Sequence, residues 1–129
     1  MHARRLAAVA AGAVVGGALR WLALSATGLD PYLGLLVVNT SASALLGWVA
    51  GSIRAGRIRS AELGDLLGAG LCGALSTWSA LAVELGEDLI DGRAVRAAAW
   101  TVVSVGAGVA AAVAGSRLGT PSTDRGTRP

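Results

Sequence analysis

The sequence predicts an all-α integral membrane protein: four transmembrane helices, the third broken near its middle. Three observations predict it. Of 129 residues, 53% are hydrophobic and only 15% are charged, too few polar groups to clothe a water-soluble domain of this size. The apolar residues gather into four runs, each close to the roughly 20 residues needed to cross a bilayer. The third run carries glycines, hydroxyls and an acid where an ordinary span carries leucine. Backbone polar groups have no water to bond in hydrocarbon, so the runs read as helices. The length allows one domain at most.

The first run covers residues 6–26. Arg4 and Arg5 precede it and small residues surround Ser25, which is also the pattern of a secretory signal peptide. Arg20 inside the run and three further spans favour a first transmembrane helix. The second run, 32–53, is entered through the Asp30-Pro31 turn. Arg54, Arg57, Arg59 and Glu62 separate it from the third, 63–89, and Glu87, Asp88, Asp91 and Arg93 precede the fourth, 95–118. Residues 1–118 thus form one transmembrane domain, and 119–129, polar throughout, are expected to be a disordered tail. No internal repeat is visible.

All eleven basic residues are arginine. A sequence pI near 10.4 is compatible with nucleic-acid binding, but the arginines sit at the ends of apolar runs rather than on one polar face. With the N-terminus inside, Arg4, Arg5, Arg54, Arg57, Arg59, Arg117, Arg125 and Arg128 are cytoplasmic, and only Arg20, Arg93 and Arg96 lie towards the other side. The positive-inside rule then puts both termini in the cytoplasm. Cys72, the single cysteine, has no disulfide or zinc partner and reads as a small buried apolar residue. His2 lies in the N-terminal tail, and no nucleophile–base or metal-ligand constellation appears, which argues against an enzyme.

Gly12 and Gly16, Gly47 and Gly51, and Gly64 and Gly68 are GxxxG pairs. Small residues four apart let helices approach closely in lipid, so a tight, oligomeric bundle is expected. The polar residues within spans are more telling, because such groups are costly there and usually functional. Asn39 is followed by Thr40, Ser41 and Ser43; the third run holds Ser76, Thr77 and Ser79, then Glu84; Trp100, Ser104 and Gly108 share a face of the fourth. Serine and threonine often bond their own helix carbonyls. The Asn39 amide needs several partners, and either a helix-to-helix bond or a place on a permeation path supplies them. From Gly70 to Ser79 the chain is a poor helix former. A helix broken in mid-membrane frees carbonyls for a cation and N–H groups for an anion. These residues by themselves indicate a small channel or transporter with donors lining a path.

Three stretches together resemble the Fluc (CrcB-type) fluoride channel family. "GGALRW", Gly16 to Trp21, is similar to that family's G-x-x-x-R-[YW]. "LGLLVVNTSASALLG", Leu33 to Gly47, is similar to its L-G-T-L-x-x-N segment. "GLCGALSTWSALAVE", Gly70 to Glu84, is similar to its G-x-x-G-G-L-T-T-F-S-T-F-S-x-E signature. The resemblance covers about residues 5–118. It implies an antiparallel dimer of four-helix subunits with two fluoride pores and a structural, non-transported sodium ion (Na+) at the break. By motif position, Gly73 and Ser76 would hold the sodium through backbone carbonyls from each subunit. Asn39, Thr77, Trp78, Ser79, Leu81, Trp100 and Ser104 would contribute to the pore. Arg20 and Glu84 would be structural.

The chemistry implied is coherent. Fluoride is small and hard, so a pore must replace its water with amide, hydroxyl and aromatic-edge donors. The sequence departs from the family at the two Phe positions, here Trp78 and Leu81, and at Ala74, Ser76, Ala80 and Leu35. Trp78 keeps a ring and adds an indole N–H; Leu81 loses the aromatic edge. Some members of that family resemble paired proteins, heterodimers of two oppositely oriented homologues, and the one-sided arginine distribution and the altered Phe positions fit that case, with a homodimer as the alternative. The expected place is a bacterial inner or plasma membrane, in contact with lipid, with passive fluoride export and no nucleic-acid partner. The rivals are a small four-helix multidrug exporter, which would need a carboxylate in the first span, and a non-conducting assembly subunit.

Overall fold

The structure, a computed structural model, describes residues 2–26 and 28–120. Its elements are all helical, and they give four stretches long and apolar enough to span a bilayer. Helix α1 is His2–Ala26. Helix α2 is Pro31–Arg54; Pro31 occupies its first turn, and the Asp30 carboxylate accepts from the Tyr32 N–H at 3.0 Å. Helix α3, residues 61–75, starts as Ala61–Asp65, where the Ser60 hydroxyl accepts from the Leu63 N–H at 3.2 Å. It widens into a π-helix over Leu66–Cys72 and closes with an α-turn, Gly73–Leu75. Ser76 and Thr77 are extended. Helix α4, Trp78–Ile90, resumes the span, and α5 is Ala94–Gly119. The chain is a multi-pass membrane protein whose third span is bent at Ser76–Thr77.

Each span outruns its apolar run by a residue or more. Arginine stems lie along apolar surface while their heads reach water, so Arg4, Arg5 and Arg54 are helical. Arg5 also pairs with Asp65, its Nη2 donating to Oδ1 at 3.1 Å, which ties α1 to the start of α3. At the other end Gly119 closes α5. Thr120 follows it, and residues 121–129 of the expected tail, with Arg125 and Arg128, lie outside the described residues.

The helices pack as two close pairs. Between α2 and α5 a Cβ built on Gly47 would overlap the carbonyl oxygen of Ala112, and one on Gly115 that of Ala44. Between α1 and α3, a Cβ on Gly12 would overlap the carbonyl of Leu66, and one on Gly16 that of Leu71. Two of the three GxxxG pairs are therefore contacts inside one subunit, where missing side chains bring backbones together. The third is looser: Cβ atoms at Gly64 and Gly68 would meet only side chains, no nearer than 3.3 Å. Tyr32, Leu35 and Leu81 form a small buried cluster, flanked by Ala80, Leu85 and Trp100, that seats α4 against α2 and α5.

Candidate functional site

The site is built on the break. Two extended residues in the middle of a span expose main-chain groups that a continuous helix would pair, and in a membrane those groups must find partners. Asn39 supplies two bonds from α2: the Thr77 N–H donates to its Oδ1 at 2.7 Å, and its Nδ2 donates to the Thr77 carbonyl at 3.1 Å. The Thr77 hydroxyl caps α4 by accepting from the Ala80 N–H at 3.3 Å, and lies 3.2 Å from the Ser79 hydroxyl. From α1, Arg20 Nη1 donates to the Ser76 carbonyl in a long contact of 3.4 Å. Helices α1 and α2 therefore hold one kink, and the N-terminus of α4, the positive end of its dipole, begins there.

An open groove of about 410 Å³ runs past this point between α2, α4 and α5. Asn39, Ser76, Thr77, Trp78, Leu81 and Ser104 all line it, so one cavity gathers most of the residues expected to form a path. Trp78 is largely exposed and Leu81 is 1% exposed, so Leu81 meets the groove from within the packed core. A second cleft of about 270 Å³ takes in Gly73, Cys72 and Ser76. Ser79 touches the Thr77 hydroxyl without lining the groove. Trp100 sits elsewhere: it stacks on Tyr32 with centroids 4.8 Å apart and planes 5° from parallel, and lines a separate cleft with Arg96. Glu84 borders another small cleft with Asp30, and its carbonyl accepts from the Tyr32 hydroxyl at 2.8 Å.

Two features are absent from the sequence reading. One is the π-helix, a local widening often found at functional sites; here its wide turn lies against Gly12 and Gly16. The other is a polar cluster where α2, α4 and α5 meet. Asp88, counted above among linker residues, belongs to the last turns of α4 and is 2% exposed. It accepts from the Tyr32 hydroxyl at 2.7 Å and from Arg93 Nε at 2.8 Å, with Arg96 Nε at 3.3 Å. The Tyr32 hydroxyl has one proton and two acceptors, Asp88 and the Glu84 carbonyl, so the two share it. Arg96 also lies over the Tyr32 ring, 5.1 Å from its centroid. The hydrogen bond to Asp88 raises the Arg93 pKa above its already high ordinary value. The available signal was Tyr32, the one tyrosine in the chain, at the start of α2, which an antiparallel pairing sets beside the acidic C-terminal end of α4.

A family model described as "CrcB-like protein, Camphor Resistance (CrcB)" matches residues 7–116. The chain belongs to the CrcB-like family. Curated relatives agree with the match. The "Fluoride-specific ion channel FluC 1" of Frankia casuarinae is 42% identical over 118 residues, 85% of this chain and 92% of that one. FluC 1 of Streptomyces avermitilis is 38% identical over 112 residues, 83% of this chain and 89% of its own. FluC 2 of Rhodococcus jostii is 36% identical over 116 residues, 85% and 94%. The matched region of this CrcB-like chain contains the break, Asn39 and every groove-lining residue.

Proposed function

We propose that this CrcB-like chain is a subunit of a fluoride-selective channel that lets fluoride leave the cytoplasm passively and so limits its toxicity. The observation that carries this reading is the Asn39 amide bound to a broken helix at the wall of a donor-lined groove. Dehydrating a small anion costs even more than the roughly 20 kcal/mol idealised for a carboxylate-sized ion, so donors must be fixed in advance. Asn39 Nδ2 has two N–H bonds. One is committed to Thr77, which orients the amide and leaves the second for an anion. Ser104, the Trp78 indole and the N-terminus of α4 add donors and positive potential. Relatives named as fluoride-specific channels support fluoride as the permeant.

The residues at the break also fit a structural sodium ion. Neutral carbonyl oxygens suit a hard alkali cation, and among the described residues no group of three or more His, Cys, Asp and Glu side chains could hold a metal. The Gly73 and Ser76 carbonyls would hold it, and it would supply a fixed positive charge between broken helices. A Cβ built on Gly73 meets nothing within 4 Å, which leaves room for a second subunit to complete the ligand set. That subunit, in this reading, is an oppositely oriented copy or homologue; relatives carrying both numbers, FluC 1 and FluC 2, are compatible with paired chains. The membrane would be the bacterial plasma membrane, with both termini cytoplasmic. A multidrug exporter fits less well, because α1 contains no carboxylate. The test is growth in fluoride of a bacterium lacking its own fluoride exporters. Expression of this chain, alone or with an oppositely oriented homologue, is expected to restore growth, and Asn39→Ala to lose it. No protection from a membrane-inserted protein in either arrangement would count against the reading.

A further inference from the structure

We propose that Ser43 is an anion-binding residue of the path, carrying it from Asn39 towards the cytoplasmic end; this rests on the fluoride-channel reading above. Hydroxyls in a span ordinarily bond a carbonyl of their own helix, and α5 shows it: Thr101 Oγ1 donates to Ala97 and Ser116 Oγ to Val113, both at 2.9 Å. Ser43 and Ser104 do not; nor do Thr40 and Ser52 of α2, but those two lie outside the groove lining. Among the described residues neither the Ser43 nor the Ser104 hydroxyl has a hydrogen-bond partner, and both line the groove. Ser43 is half-buried and stands four residues beyond Asn39, about 6 Å along one face of α2.

The other groove wall makes that donor matter. Past Ser104, α5 contributes Val105, Gly108, Val109 and Ala112, none with a side-chain donor. A Cβ built on Gly108 would come within 3.4 Å of Ser43 Oγ, so Gly108 keeps the hydroxyl uncovered. Ser43 also lines the second cleft, beside Gly73 and Ser76, so it stands where the two cavities adjoin. An anion leaving Asn39 and Ser104 along this wall meets the Ser43 hydroxyl next. Without it the α2 and α5 walls beyond Asn39 and Ser104 offer no side-chain donor.

The test is fluoride efflux from liposomes holding the purified full-length chain, with the oppositely oriented homologue added if the chain alone is silent. Ser43→Ala removes the donor and little volume; Ser43→Cys keeps the size with a weak donor. One hydrogen bond to an anion corresponds to about tenfold to hundredfold, so Ser43→Ala is expected to slow efflux at least tenfold, and Ser43→Cys by a smaller factor because its thiol is a weak donor, both at unchanged gel-filtration profile and melting temperature. Should the alanine variant misfold, the cysteine variant decides alone. Wild-type efflux from a folded variant overturns the role of Ser43 and leaves the channel reading standing. A wild-type protein that passes no fluoride in either arrangement overturns both.

Discussion

Replacing Asn39 by alanine removes both bonds that tie α2 to the break and strands the Thr77 N–H and carbonyl. A neutral hydrogen bond is worth about 1 kcal/mol net, and a buried group left unpaired costs about 1–3 kcal/mol. Interhelical bonds within membranes average lower, about 0.6 kcal/mol. Thr77 is half-buried beside an open groove, so water can reach part of what alanine exposes. The two bonds together are then worth about 1–3 kcal/mol. Asn39→Asp separates this structural share from conduction. Its carboxylate still accepts from the Thr77 N–H, but it repels the Thr77 carbonyl and places negative charge where an anion must pass. Asn39→Ala is therefore expected to lower the melting temperature of the detergent-purified protein and to reduce fluoride flux. Asn39→Asp should recover part of the melting temperature and none of the flux. An alanine variant with wild-type melting temperature and wild-type flux would refute the reasoning.

Other substitutions probe the packing. Gly115→Val drives a side chain into the Ala44 carbonyl and is expected to abolish folded protein on gel filtration, whereas Gly73→Ala, with nothing within 4 Å, should leave the subunit's helix content by circular dichroism unchanged. Leu81→Phe restores an aromatic ring at a family position, yet Leu81 is 1% exposed in the Tyr32–Leu35 cluster; overpacking of about 1–3 kcal/mol is expected, read as a lower melting temperature. Asp88→Ala leaves Arg93, Arg96 and the Tyr32 hydroxyl without their shared acceptor and should destabilise more than Tyr32→Phe; a double-mutant cycle on melting temperature should show the two coupled rather than additive.

The architecture was legible because lipid imposes a simple code. Four apolar runs had to be helices, and the glycines and hydroxyls of Gly70 to Ser79 announced a break that the structure places at Ser76–Thr77. Asn39 stood out because an amide in a span must have partners, and it finds them on the main chain of that break. Side-chain facing was harder to read. Trp100 and Ser104 share a helical repeat, yet Trp100 is drawn into a stack on Tyr32 while Ser104 stays in the groove. Neither periodicity nor spacing reports such a pairing between distant segments. The π-helix was likewise hidden, since a one-residue widening leaves no compositional trace apart from glycines already abundant in the chain. Asp88 looked like a linker acid because acids flank it; only the approach of Tyr32 from α2 and of Arg93 from the turn before α5 makes it a buried one.

The central claim is that fluoride passes along the groove at the broken helix. Its most direct measurement is electrode-monitored efflux of fluoride and of chloride from sodium-loaded liposomes containing the purified protein, alone and with an oppositely oriented homologue. Rapid fluoride efflux, with chloride retained and the flux suppressed by Asn39→Asp, is the predicted result. Folded protein that releases no fluoride in either arrangement, or releases chloride as readily, would contradict the account.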